Sequence, residues 1–180
     1  MRSYRVEGII ISRRNVGEAD RLLTVLTREE GKVRVKAVGV RRITSRRGSH
    51  IELLNTSILH LYRGRGMPIL TEVVSIEDFS EIKQDLRLIG FAYYVCELME
   101  SLCPENQENR QAYFLLKEFL SRLSGVSNVV ESVYVFENEL LKLLGYWTHE
   151  RELSHAQSVS LIENILERRL KSRQIISRFY

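Results

Sequence analysis

Apolar and polar residues alternate through the first 75 or so positions, and the spacing then becomes helical. The alternation is strict at 32–37, where Lys32, Arg34 and Lys36 interleave with Val33, Val35 and Ala37. Successive side chains of a strand point to opposite faces, so three cations share one face while three apolar residues join a core. Runs rich in Val, Ile, Leu and Thr at 4–13, 20–28, 32–40, 51–62 and 69–75 predict five strands. Gly17, Gly31, Gly48 and the Gly64-Arg65-Gly66 turn separate them. Glu30-Gly31 fits a hairpin turn, with glycine supplying the positive φ. Pro68 falls just before the fifth run, where a missing N–H does little harm. Five short strands uninterrupted by a helical pattern predict a small OB-fold barrel.

From Asp78 onward the apolar positions follow helices. The stretch 86–102 is apolar nearly all round, which predicts a central buried helix, and Pro104 closes it. Two more helices are expected at 113–123 and 129–144, the second ended by Gly145 as its C′ residue. Ser154 with Gln157 forms a capping-box signature for a last helix running to about Arg173. The fold class is therefore α+β in two domains, an OB-fold β-barrel over 1–78 and an all-α helical domain over 79–180.

Charge sharpens that division. Residues 1–75 hold 15 Lys and Arg against 7 Asp and Glu, a net of +8, whereas 76–167 hold 7 against 16, a net of −9. The last thirteen residues add five basic side chains and no acid. Fields act locally, within about 8–10 Å in physiological salt, so the pattern implies nucleic acid on the first domain and a protein partner on the second. The apolar run 9–11 is too short for a secretory signal, and no run reaches the ~20 residues of a membrane span. The two cysteines, Cys96 and Cys103, lie seven apart on a helix, roughly 10 Å, beyond disulfide reach. They read as buried thiols of a cytoplasmic protein, and no metal or other cofactor is implied.

No catalytic constellation emerges. His50, His60, His149 and His155 are scattered, and His60 alternates with apolar neighbours as a half-buried structural histidine would. Glu18 and Asp20 find no base or metal cluster in the sequence. Gly64-Arg65-Gly66 is half of a phosphate-cradling motif and lacks the helix start that should follow. The chain does not read as an enzyme.

The cations carry the functional signal. A solvated strand face would account for Lys32, Arg34 and Lys36 alone, but Arg41, Arg42, Arg46 and Arg47 continue the row into the next connection. An array of this kind suits a polyanion, because each neutralised phosphate releases condensed counterions. At the next turn Tyr62, Arg63 and Arg65 offer a stacking aromatic beside more cations, although Tyr62 serves equally as a packing residue at a strand end. Arg168, Arg169, Lys171, Arg173 and Arg178 either extend the nucleic-acid surface or complement a helix C-terminus.

The segments VEGIIISRRNVGEADRLLTVLTREEGKVRVKAVGVRR, LYRGRG with TEVV, FAYYVCELMESLCPE, ELLKLLGY and LERRLKSRQ occur in this order. Together they resemble the RecO family of bacterial DNA repair proteins; the first is the specific one. The resemblance implies a non-enzymatic recombination mediator in DNA repair that binds single- and double-stranded DNA and promotes annealing. It also implies action with RecR in loading RecA onto strands coated with single-strand-binding protein (SSB). By similarity the DNA surface uses Lys32, Arg34, Lys36, Arg41, Arg42, Arg46 and Arg47. The helical domain would engage the acidic C-terminal tail of SSB, with Arg110, Lys117 or Arg122 as the cations beside an apolar slot. Many family members carry a four-cysteine zinc module after the segment matching ELLKLLGY; here 146–159 contains no cysteine. That predicts a short form without zinc, cytoplasmic and drawn to the nucleoid during repair. Two other readings stay open: an adaptor at SSB whose DNA binding is incidental, and a general RNA-binding OB protein.

Overall fold

The computed structural model describes residues 2–177, so Arg178 lies outside the described residues. The chain forms two compact units, Met1–Phe79 with Pro104–Tyr113, and Ser80–Cys103 with Phe114–Tyr180.

The first unit is an OB-fold. Strands β1 (Ser3–Val16), β2 (Asp20–Thr27), β3 (Gly31–Ala37), β4 (Thr56–Tyr62) and β5 (Ile69–Glu77) close a barrel in the order β1-β2-β3-β5-β4. Closure depends on the length of β1. Its first half pairs antiparallel with β4, from Ser3↔Tyr62 to Ile9↔Thr56, and its second half with β2, from Gly8↔Thr27 to Val16↔Asp20. A register shift between Ile10 and Ser12 breaks the two-residue alternation, as a bulge does. Ile9, Ile10 and Ile11 are consequently all buried. On β3 the expected alternation holds for the apolar set: Val33, Val35 and Ala37 pack with Val6, Leu23, Leu59 and Leu61 in the barrel core.

Strands β1 and β5 run past their expected ends, to Val16 and Glu77, while β4 and β3 are shorter than expected. Only Thr56–Tyr62 of the 51–62 stretch is strand, and Gly48–Ile51 forms a 3-10 turn ahead of it. Leu54 takes a left-handed φ of 73 and its N–H donates to Ile10 O at 2.9 Å. Ile51 and Leu54 are thus buried from a loop, which gave this loop the apolar content of a strand. Strand β3 stops at Ala37, because Gly39 turns the chain at φ 66 and donates its N–H to Asp20 Oδ1 at 2.9 Å.

The second unit is helical, with α1 (Ser80–Gln84), α2 (Leu86–Leu102), the part of α3 (Arg110–Leu123) beyond Tyr113, α4 (Val129–Leu143), α5 (His155–Leu166) and α6 (Arg173–Ile176). Helix α2 starts where Asp85 accepts the N–H groups of Arg87 and Leu88, and Phe91, Tyr94, Val95, Leu98 and Met99 bury it on most sides. Both cysteines are buried and free, and burial pushes the Cys96 thiol up to about 12, which makes it inert. Gly145 has φ 77 just past α4, and Ser154 with Gln157 forms the expected capping box.

Helix α5 is shorter than the helix expected from Ser154 to about Arg173. It ends at Leu166, where Glu167 turns left-handed at φ 52. Beyond it, side-chain carboxylates replace the helical acceptors: Leu170 N–H donates to Glu163, and the N–H groups of Lys171 and Ser172 donate to Glu97. Inside this unit Glu137 is fully buried. Its carboxylate accepts from Tyr94 Oη at 2.5 Å and Ser158 Oγ at 2.5 Å, with His155 Nδ1 3.0 Å away. No described helix is long and apolar enough to cross a membrane.

Candidate nucleic-acid interface

The candidate surface is built where β3 leaves the hairpin, turns, and meets β5. Lys36 pairs with Ile69, and Lys36 N–H donates to Pro68 O at 2.8 Å. This pairing puts the connection after β3 (38–47) beside the turn that precedes β5 (63–68). The connection is itself held at two points. Arg41 N–H donates to Ala19 O at 3.0 Å, and Arg47 spans from Val38 O (2.9 Å) to Leu70 O (2.9 Å). Arg47 is therefore a clamp that spends its guanidinium on backbone carbonyls.

The clamp leaves a recess of about 510 Å³ lined by Val38, Gly39, Arg42, Thr44, Ser45, Arg46 and Arg47, with no acidic residue in its wall. Arg42 and Arg46 are exposed, and among the described residues neither forms an ion pair. Two guanidinium groups beside the hydroxyls of Thr44 and Ser45 are suited to phosphate oxygens.

Strand β3 is arranged differently. Arg34 and Lys36 are exposed, as the alternation predicts, but Lys32 is 7% exposed and does not join an open row. Arg34 pairs with Glu105 at 2.5 Å, and Lys36 with Asp20 at 3.2 Å. The Gly39 N–H, and then Lys36, hold the Asp20 carboxyl below its ordinary range, so it stays charged and keeps its hold on Lys36.

Around the turn before β5, Arg63 pairs with Glu30 at 2.8 Å and lies over the Tyr4 ring at 4.6 Å. Tyr4 was not among the sequence candidates; its partner is far along the chain, and only the β1–β4 pairing brings the two together. Tyr62 is half-buried and its Oη accepts from Arg2 at 3.4 Å, while Arg65 is exposed with no ion pair among the described residues. Arg41 gives its side chain to Gly17 O at 3.1 Å.

The remaining candidates lie elsewhere. Arg110 sits 3.9 Å from Glu108 in the first unit. In the second, Lys117 is half-buried and Arg122 pairs with Glu118 at 2.6 Å. Arg122 borders a groove of about 550 Å³ between α3 and α4, floored by Phe119, Leu123 and Phe136 and also carrying Glu118, Glu131 and Glu139. Of the C-terminal cations, Arg168 binds Glu97 at 3.2 Å and Arg173 binds Glu163 at 2.8 Å, whereas Arg169 and Lys171 are exposed. Burial works to raise the Glu97 carboxyl, but Ser172, Lys171 and Arg168 together hold it below its ordinary value.

His50 is tied to β5, where Ser75 N–H donates to its Nδ1 at 3.3 Å, and His60 is half-buried on β4. Among the described residues no three His, Cys, Asp or Glu side chains gather to hold a metal.

Comparison with known proteins now bears on this surface. Residues 1–79 match the family described as recombination protein O N terminal, and 83–150 that described as recombination protein O C terminal. The chain belongs to the RecO family. Curated RecO relatives named DNA repair protein RecO include those of Roseiflexus sp. (41% identical over 145 residues, 81% of this chain and 51% of that one) and Pelotomaculum thermopropionicum (34% over 157 residues, 87% and 61%). The relative from Symbiobacterium thermophilum is 36% identical over 147 residues, 81% of this chain and 58% of its own. The chain thus spans between half and about three-fifths of the length of these RecO relatives. The N-terminal RecO match covers the whole β1–β5 run that carries the recess.

Proposed function

We propose that this chain is a RecO-type recombination mediator in DNA repair, a binding protein rather than an enzyme, which captures DNA on the barrel and favours annealing of complementary strands. The observation that carries the reading is the recess at 38–47, whose wall holds no acidic residue and where, among the described residues, Arg42 and Arg46 form no ion pair, Asp20 feeling Arg42 only through its field. Arg65, and Arg34 and Lys36 once released from their acids, extend the contact; Arg41 and Arg47 hold the loop in shape. Neutralising the phosphates of two strands on one surface lowers their mutual repulsion, which is what annealing requires.

On this reading the helical unit docks the protein partners, SSB and RecR, and so brings the barrel to coated strands on which RecA is to be loaded. An acidic tail entering the groove between α3 and α4 meets Arg122, which must first leave Glu118. The test is annealing of complementary strands coated with SSB. The wild type accelerates annealing and Arg42→Ala/Arg46→Ala loses most of that effect. Annealing unchanged in the double variant, or absent from a folded wild type that still binds SSB, overturns the mediator reading in favour of an adaptor.

A further inference from the structure

The edge of β3 is only partly closed by β5. The two strands share the parallel pair Lys36↔Ile69, and among the described residues Gly31–Val35 run on without a named strand beside them on that side. Chain from far along the sequence takes this edge. Glu105 forms a parallel bridge with Lys32, and Asn106 N–H donates to Lys32 O at 2.8 Å.

This strap, 104–109, reads Pro-Glu-Asn-Gln-Glu-Asn, with two acids and no base. It is anchored to the same barrel at its far end, where Tyr113 is buried and donates its hydroxyl to Glu7 at 2.7 Å. It also approaches closely in the middle: a Cβ placed on Gly31 would lie 1.8 Å from Gln107 O, and Gly31 has φ +69. Only glycine meets both demands. Glu105 of the strap forms an ion pair with Arg34 of the strand. A carboxylate there satisfies the same guanidinium donors that a phosphate would.

We infer that the 104–109 strap is a built-in competitor for nucleic acid on β3, with Glu105 occupying Arg34 until a phosphate displaces it. The inference rests on the DNA-binding reading and deepens it: the barrel has a standing contact at the recess and a second contact that opens by exchange. Both partners remain part-exposed, with 52% of the Arg34 and 37% of the Glu105 side chain accessible. Exchange of such a pair is inexpensive, since exposed ion pairs contribute little.

The experiment uses the full chain and a fluorescent 30-nucleotide oligothymidylate, with affinity measured across a salt series. Glu105→Gln keeps shape and backbone while removing the charge. It should bind about two- to fivefold tighter with a salt slope steeper by about 0.7, the value for one phosphate contact on a single strand. Glu72→Gln, which removes the same charge from an exposed position on β5 with no ion pair among the described residues, serves as the control and should leave the slope unchanged. Arg34→Ala should weaken binding more in the Glu105→Gln background than alone, a non-additivity that marks direct competition. If Glu105→Gln matches the control while Arg42→Ala/Arg46→Ala weakens binding, the strap is not a competitor and the DNA surface stands. If neither wild type nor any variant binds the oligonucleotide, the DNA reading fails and the strap's role with it.

Discussion

Glu105 on the barrel and Glu137 in the helical unit are both carboxylates held by side-chain donors. Glu105 is part-exposed beside one guanidinium, whereas Glu137 is fully buried, with two hydroxyls and a histidine on its two oxygens. In water a lost partner is replaced by solvent, so the first arrangement exchanges readily. In the interior nothing replaces it, and the donors left behind carry their full desolvation penalty. One carboxylate is a contact that another anion can take; the other locks α4 to α2 and α5.

The largest effect expected from this contrast is on the lock. Glu137→Ala leaves three polar groups and a void in the helical unit and should cost about 3–5 kcal/mol, read by urea unfolding. A loss below about 1 kcal/mol would mean that the three donors are not locked. Gly31→Ala comes next, at about 1–3 kcal/mol, because the strap's backbone cannot stay where the new Cβ would lie; amide exchange of 104–107 should quicken in parallel. Lys36→Met should move the melting temperature by less than about 2 °C, as the loss of an exposed pair with Asp20 implies.

The smallest effect concerns pH. Glu97 has a depressed carboxyl, so its hold on the 170–172 turn is present above the ordinary carboxylate value. It is lost only as pH falls through the lower folded value. Protection of the Lys171 and Ser172 amides should therefore persist at mildly acidic pH and fail below the ordinary range. Glu97→Gln should remove it at neutral pH.

What was legible in the sequence was what neighbouring residues decide among themselves. The strict alternation around Val33 and Val35 marked a strand with one buried face, Ser154 and Gln157 marked a helix start, and Pro104 and Gly145 marked helix ends. Where a residue's partner sits far along the chain, the local pattern misled. Lys32 shares its strand parity with two exposed cations, yet it is buried, on the stretch of β3 whose backbone pairs with Glu105 and Asn106. Leu54 is apolar like a strand residue, but Ile10 captures its amide and turns it left-handed. The helix after Ser154 stops short because Glu163 and Glu97 capture the amides of 170–172. The same limit applies to the candidate surface: charge can be counted from the sequence, but pairing cannot. Seven cations were expected to act together, and the fold gives one of them to burial, two to backbone carbonyls and two to acids. Arg42 and Arg46 remain.

The direct test of that division is the salt dependence of oligothymidylate binding by two double variants, Arg42→Ala/Arg46→Ala and Arg34→Ala/Lys36→Ala. The loop pair should lower the salt slope by about 1.4, the value for two lost phosphate contacts on a single strand, while the strand pair lowers it by less. Equal losses from the two variants, or a larger loss from the strand pair, would contradict the claim that the acid-free loop is the standing contact with DNA.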